Sequence, residues 1–290
     1  MSKLKQMICD YAFMSPYLIL FGAFLVGPLI YGLGLSFMRY EMLSPNPPGW
    51  IGFDNFAEAL SDRYFWKALF ATLMFVVLTV PLTVVFALLL ATFLTKIPDV
   101  RAQWYRAAIF LPTLITISVG GILWRWFYNS EFGLFNALLE PLGIKVPWIN
   151  STTWAMPSIV LMTLWWTIGG PMIILFAGMK QIPNNYYEAG SLDGATGYKA
   201  FIHLTLPLLR PVMLFVVVMS LIGAFQVFGQ TYMITSGGPE LSTRVLVQYI
   251  YETAFSRYRL GYGAAMSWLL FVIIGIISFA GFRIMGEKDA

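Results

Sequence analysis

Long stretches with few or no charges dominate the chain. They cover residues 11–37, 68–95, 107–128 (passing Arg125), 154–179, 211–232 and 260–282. A hydrocarbon core of roughly 30 Å needs about 20 helical residues, so the pattern predicts six spans with both termini on one side. The first stretch exceeds the roughly 7–15 apolar residues of a secretory signal and no A-x-A site follows, which predicts an uncleaved span. Proline and glycine inside the stretches (Pro16, Pro81, Gly169, Gly170, Pro171) predict close helix packing and tolerated breaks.

Two segments between the stretches carry helical periodicity of their own. In the first, Phe53, Phe56 and Leu60 stand at i, i+3 and i+7 behind Asp54, a candidate N-cap. That predicts an amphipathic helix at the outer interface, followed by Phe65-Trp66-Lys67 at an aromatic-belt position. A helix resting on lipid and a docking surface for an external partner both fit it. The second segment, residues 180–210, is far longer than an ordinary connection of about four to six residues. Pro183 suits a helix start, Tyr186, Ala189, Gly190 and Asp193 share one face, and Gly194 falls where a helix ends. Thr196 is placed to cap a second helix running toward Pro207. The segment reads as a helix–turn–helix elbow, and its small residues suit close approach by another protein.

Composition agrees with a membrane domain. Apolar residues make up 59% of the chain and charged residues 11%, against about a quarter charged in a soluble domain, and the mean hydropathy is +0.74. A disordered chain is excluded and a soluble enzyme nearly so. Of the 18 Lys and Arg residues, ten fall on the side of the termini, among them Lys3, Lys5, Lys180 and Lys288, and eight on the other. The ten lie in shorter segments, so their density places the termini in the cytoplasm. The net charge of +4 then reflects topology, with no nucleic-acid partner implied. Cys9 is the single cysteine and His203 the single histidine, which excludes an internal disulfide and a two-histidine metal site. No internal repeat is visible, and the whole of 1–290 reads as one membrane domain.

No stretch carries Asp, Glu, Lys or His in its middle. Proton relays and charged-substrate paths usually need such groups, so a neutral solute that hydrogen-bonds to amides and hydroxyls and stacks on aromatic faces fits better. Thr163, Trp166, Thr167 and Gly170 share one face of the fourth stretch, and Ser220, Gly223, Ala224 and Val227 one face of the fifth, with Phe225 and Gln226 close by. These are the candidate substrate-path residues. The chain contains no G-x-x-x-x-G-K-[ST], so nucleotide chemistry would have to come from another chain. On residues alone, a secondary carrier or channel for a neutral solute and a membrane enzyme also stay open. The carrier lacks an intramembrane carboxylate, and the enzyme lacks converging ionisable groups.

The elbow resembles the EAA loop of binding-protein-dependent ABC importer permeases, whose signature is E-A-A, three residues, G, nine residues, I-x-L-P. Glu188 and Ala189 match, Gly194 follows at the right distance, and Leu206-Pro207 closes the motif. Gly190 replaces the second Ala, and Leu204 replaces the Ile. Asp193-Gly194-Ala195, Leu206-Pro207-Leu208-Leu209, Thr235-Ser236-Gly237-Gly238-Pro239 and Gly52-Phe53-Asp54-Asn55-Phe56 are similar to the maltose-type carbohydrate branch, in particular to the first of its two paired permeases. The resemblance implies an all-α membrane protein of six spans in a bacterial or archaeal cell (inner) membrane. Its partners would be membrane lipid, a second homologous permease, two copies of a cytoplasmic ABC ATPase that bind ATP and Mg, and an extracytoplasmic sugar-binding protein. No cofactor would bind this chain, and it would catalyse nothing itself. Tyr187, Glu188, Ala189, Gly190, Asp193, Gly194, Leu206 and Pro207 would then couple to the ATPase. Sugar contacts would fall on the two faces flanking the loop. Where such permeases carry amides this chain has Ala224 and Val227, which shifts the expected contact to Gln226 or to the partner permease.

Overall fold

The computed structural model describes residues 3–286, with side chains over 11–283; Lys288 lies outside the described residues, as do the side chains of Lys3, Lys5 and Cys9. Helix α1 (Lys3–Phe21) passes through a π-helical turn into α2 (Gly27–Ser36). The short strands β1 (Met38–Arg39) and β2 (Gly49–Trp50) pair antiparallel, with Met38 opposite Trp50. Then come α3 (Asp54–Ser61), α4 (Arg63–Thr95), α5 (Asp99–Phe110), α6 (Ile117–Phe127), α7 (Leu134–Leu139), α8 (Ala155–Thr167) and α9 (Gly169–Lys180). The chain continues with α10 (Asn184–Leu192), α11 (Tyr198–Ala200), α12 (Leu206–Phe225), α13 (Gly229–Thr235), α14 (Leu246–Tyr251) and α15 (Leu260–Gly286).

Among the described residues, Tyr11–Ser36, Arg63–Thr95, Tyr198–Phe225 and Leu260–Arg283 are each long and apolar enough to cross a membrane. The other expected spans are not straight helices. The third is bent by 95° between α5 and α6, and the fourth by 50° between α8 and α9. Pro112 lies in the 3-10 turn Leu111–Leu114 that makes the first bend. The second bend falls at Ile168. It brings α9 so close to α5 that a Cβ on Gly169 would stand 2.8 Å from the Phe110 Cα. The fifth expected span starts earlier and stops sooner than 211–232: its helix is continuous over Tyr198–Phe225 and breaks before α13.

The chain divides into two compact units. One takes the chain up to Arg63 with Ile250–Phe271, and the other Tyr64–Tyr249 with the chain from Val272. In the first, Asn55 donates to the carbonyls of Ser36 and Met38, both at 2.9 Å. Arg259 makes a bidentate pair with Glu58, two bonds of 2.7 Å, and reaches Glu41 at 3.3 Å. The hydrogen bonds and charge of Glu58, with Glu41 beside it, raise the already high pKa of the guanidinium. Phe37 stacks on Trp50 and meets Phe53 and Phe56. Helix α3 forms where expected, with Phe53 and Leu60 facing outward and Asn55 and Ala59 buried. Asp54 is its first helical residue and not the cap; Phe53 occupies the cap position without a side-chain bond.

The second unit holds the main core. Ala87 and Ala91 of α4 and Ala102 of α5 pack with Met172 and Phe176 of α9 and Leu209 and Val216 of α12. Between membrane helices such a core is held by close van der Waals packing of small and large side chains, since lipid tails are as apolar as the groups they would replace. At one end Arg106 lies 4.6 Å over the Phe176 ring, and Lys180 pairs with Asp99 at 2.9 Å. The expected aromatic belt splits: Phe65 is buried, and Trp66 faces outward. After α13, Thr243 bonds Thr235 at 2.7 Å and the Gly238 carbonyl at 2.7 Å, which folds the 235–239 segment back onto the unit.

Candidate functional site

Helices α4, α8, α9 and α12 enclose a cavity of about 370 Å³ within the second unit. Thr163, Trp166, Thr167 and Gly170 line it from the fourth stretch. Ser220, Gly223, Ala224 and Val227 line it from the fifth. Phe225 and Gln226 do not: Phe225 is buried away from it, and Gln226 is exposed at the end of α12. The amide at the cavity belongs to Gln230. Helix α12 ends at Phe225, so Gln226 turns away from the cavity face that Ser220 and Gly223 begin. Helix α4 supplies a wall that the sequence pattern does not reveal, with Phe75, Thr79, Val80 and Thr83 on one face. The apolar setting of those threonines hides them, since only helical spacing separates them from core residues. No lining residue is ionisable.

Trp166 does more than offer an aromatic face. Its indole N–H donates to the Ile115 carbonyl at 2.9 Å, and its own carbonyl accepts from the Thr113 hydroxyl at 3.0 Å. Both partners lie at the bend between α5 and α6. Bent helices leave carbonyls without intrahelical donors, and in a membrane those groups need protein partners. The two broken helix pairs thus satisfy one another at the edge of the cavity.

The elbow forms between α9 and α12. Helix α10 starts after Pro183, as expected, and Gly194 beyond its end has a φ of +76°, a conformation that glycine adopts at little cost. Thr196 does not cap the next helix: α11 begins behind Gly197, whose φ is +56°, and no side chain caps it. Nor is that helix separate, since α11 runs through a π-helical turn, Phe201–Thr205, into α12. Leu206 and Pro207 therefore lie in the opening turn of the α12 segment that leads to the cavity. Gly190 is buried against Leu204, and Tyr187 bonds Thr205 across the elbow at 3.0 Å. Glu188, Ala189, Asp193 and Gly194 are exposed, and Leu192 is 89% exposed. Leu192 is a surface feature absent from the sequence-based candidates; a single leucine at the last position of a helix gives no periodic signal.

Residues 56–286 match the family described as binding-protein-dependent transport system inner membrane component. The chain belongs to this family. Among its relatives, the probable ABC transporter permease protein YesP of Bacillus subtilis is 38% identical over 96% of this chain and 91% of its own. The sulfoquinovosyl glycerol transport system permease protein SmoG of Agrobacterium fabrum is 33% identical over 95% of this chain and 90% of its own. The fold matches, with a TM-score of 0.85 at 24% identity, a chain of a bacterial ABC transporter involved in import of the acidic polysaccharide alginate, covering 99% of this chain and 98% of that one. Among the described residues, no three His, Cys, Asp or Glu side chains are grouped to hold a metal ion.

Proposed function

We propose that this chain is a permease subunit of an ABC importer that moves a sugar or oligosaccharide delivered by an external binding protein. One observation carries the reading: a single helical run, Tyr198–Phe225, joins an exposed elbow to the wall of a cavity with uncharged lining. A push on the elbow is thereby delivered to the cavity. Family membership and the SmoG relative, a sugar-derivative permease by name, support the same reading.

In this reading 1–290 is one membrane domain with six spans, the two bent pairs counting as one span each, and both termini cytoplasmic. Two ATPase subunits bind ATP and Mg and grip the elbows of the two permeases, on this chain at Glu188, Ala189, Leu192 and Asp193. Their closure rocks α12 and changes the side from which the cavity is open. A second permease completes the pathway. The segment Tyr11–Ser36 buries none of its apolar window within the chain, which suits contact with lipid and with that second subunit.

The test is reconstitution of the chain with its partner permease, ATPase and binding protein in lipid vesicles. Uptake of sugar should require all four components, and the chain alone should hydrolyse no ATP. Sugar uptake by the chain alone would overturn the reading in favour of a carrier or channel.

A further inference from the structure

Helix α4 carries an outward apolar stripe. Leu82, Val85, Phe86, Leu89 and Phe93 stand at i, i+3, i+4, i+7 and i+11, the spacing of one helix face, and all five are exposed. Phe93, at the end of the stripe, meets Tyr105 of α5 edge-on at 6.4 Å. Trp104 beside it is 76% exposed. Such rings, apolar in body and polar at one edge, favour the boundary between hydrocarbon and headgroups. Lys96 follows on the turn between α4 and α5, and Arg101 in the first turn of α5. Both are exposed, and among the described residues neither side chain has a hydrogen-bond or ion-pair partner. Neighbouring cations are engaged: Lys180 with Asp99 at 2.9 Å, and Arg106 with the Ala102 carbonyl and the Phe176 ring. Asp99 is the only acidic residue from Arg63 to Ser130. Its pair with Lys180, the last residue of α9, puts this corner on the side of the elbow.

We propose that the α4–α5 corner binds an anionic phospholipid of the leaflet on the elbow's side, with Arg101 and Lys96 on the headgroup and the acyl chains along the α4 stripe. Apolar stripe, aromatic pair and two cations follow one another in the order of the chemistry along one such lipid. Arg101 offers a planar fork that matches phosphate oxygens, and Lys96 a point charge. Net negative charge is favoured because an anionic surface attracts each cation beside the membrane. A zwitterionic lipid brings an ammonium group of its own, and the one carboxylate at hand, Asp99, is already held by Lys180. A free phosphate ion would satisfy the cations but leave Trp104 and the stripe uncovered. The inference needs only the membrane setting of the family, and it stands or falls apart from the import of sugar.

The experiment uses the full chain in complex with its partner permease and ATPase, extracted from bilayers of equal phosphatidylglycerol and phosphatidylcholine. Native mass spectrometry counts the lipids that stay bound. Wild type should retain phosphatidylglycerol over phosphatidylcholine, and added phosphatidylglycerol should raise its unfolding temperature, as a ligand of the folded state does. Lys96→Gln and Arg101→Gln should each weaken retention about five-fold and shrink that rise. Arg101→Lys keeps the charge and should retain most of the binding, Trp104→Ala should weaken it, and Lys145→Gln, beyond α7, should leave it unchanged. Equal retention of the two lipids overturns the proposal, as does wild-type retention by the Lys96→Gln, Arg101→Gln double variant. Displacement of the lipid by inorganic phosphate alone overturns it in favour of a free anion. Loss of the ATPase subunits from the double variant assigns the corner to that partner instead. A lowered unfolding temperature of either single variant in pure phosphatidylcholine also overturns it, because the cations would then be structural.

Discussion

Leu204 stands directly against the bare Cα of Gly190: a Cβ placed there would come within 2.6 Å of the Leu204 Cδ1. These are the two positions at which the elbow departs from the family signature, and the structure shows that they touch. Glycine in a helix costs about 1 kcal/mol relative to alanine, yet the Leu204 Cδ1 occupies the space that the alanine methyl would fill. Gly190→Ala alone should overpack the elbow, lowering the unfolding temperature and weakening coupled uptake, at a cost of about 1–3 kcal/mol. Adding Leu204→Val, which removes the crowding atom, should recover most of the loss. A double-mutant cycle on thermal stability measures this, and strictly additive effects would show that the contact is not the cause.

The outer face of the elbow predicts the opposite separation of stability and function. Ala189 and Leu192 are exposed, so Ala189→Trp and Leu192→Asp should change stability by no more than about 0.5 kcal/mol. Both should prevent the ATPase subunits from co-purifying with the permease pair. Full ATPase recovery with either variant would move the docking surface elsewhere.

Two glutamines four residues apart divide the cavity prediction. Gln226 is exposed at the end of α12, whereas Gln230 lines the cavity. Gln230→Ala should reduce uptake several-fold, since one neutral hydrogen bond contributes about 0.5–1.5 kcal/mol. Gln226→Ala should transport as wild type. Measured together at saturating binding protein, the reverse order would mean that the break after Phe225 closes during transport.

The apolar stretches are legible in the sequence because a membrane-crossing helix leaves no room for charge, and α10 is legible because proline and glycine bracket it. The Thr163–Gly170 and Ser220–Val227 faces are legible because each set spans only about two turns, too short for the bend at Ile168 or the break after Phe225 to carry it off the cavity. The bends are not, since glycine and proline in an apolar stretch read equally as packing. Their stabilising partners lie far off in sequence: Trp166 meets Ile115 across 51 residues.

Trp166 offers the sharpest test of how the broken spans are held. Truncation to alanine removes the cavity face and the indole donor together, so loss of uptake in Trp166→Ala does not separate sugar stacking from support of the bend. Trp166→Phe keeps an aromatic face but leaves the Ile115 carbonyl without the donor it has at 2.9 Å. An orphaned carbonyl in a membrane interior costs about 1–3 kcal/mol. Thr113→Val removes the reciprocal bond, now from the Trp166 carbonyl. Both variants should therefore lower the unfolding temperature, and the pair together should cost less than the sum, because either one loosens the same junction. If Trp166→Phe instead keeps full stability and loses uptake, the indole N–H serves the substrate in the working protein, and its bond to Ile115 is exchanged during transport.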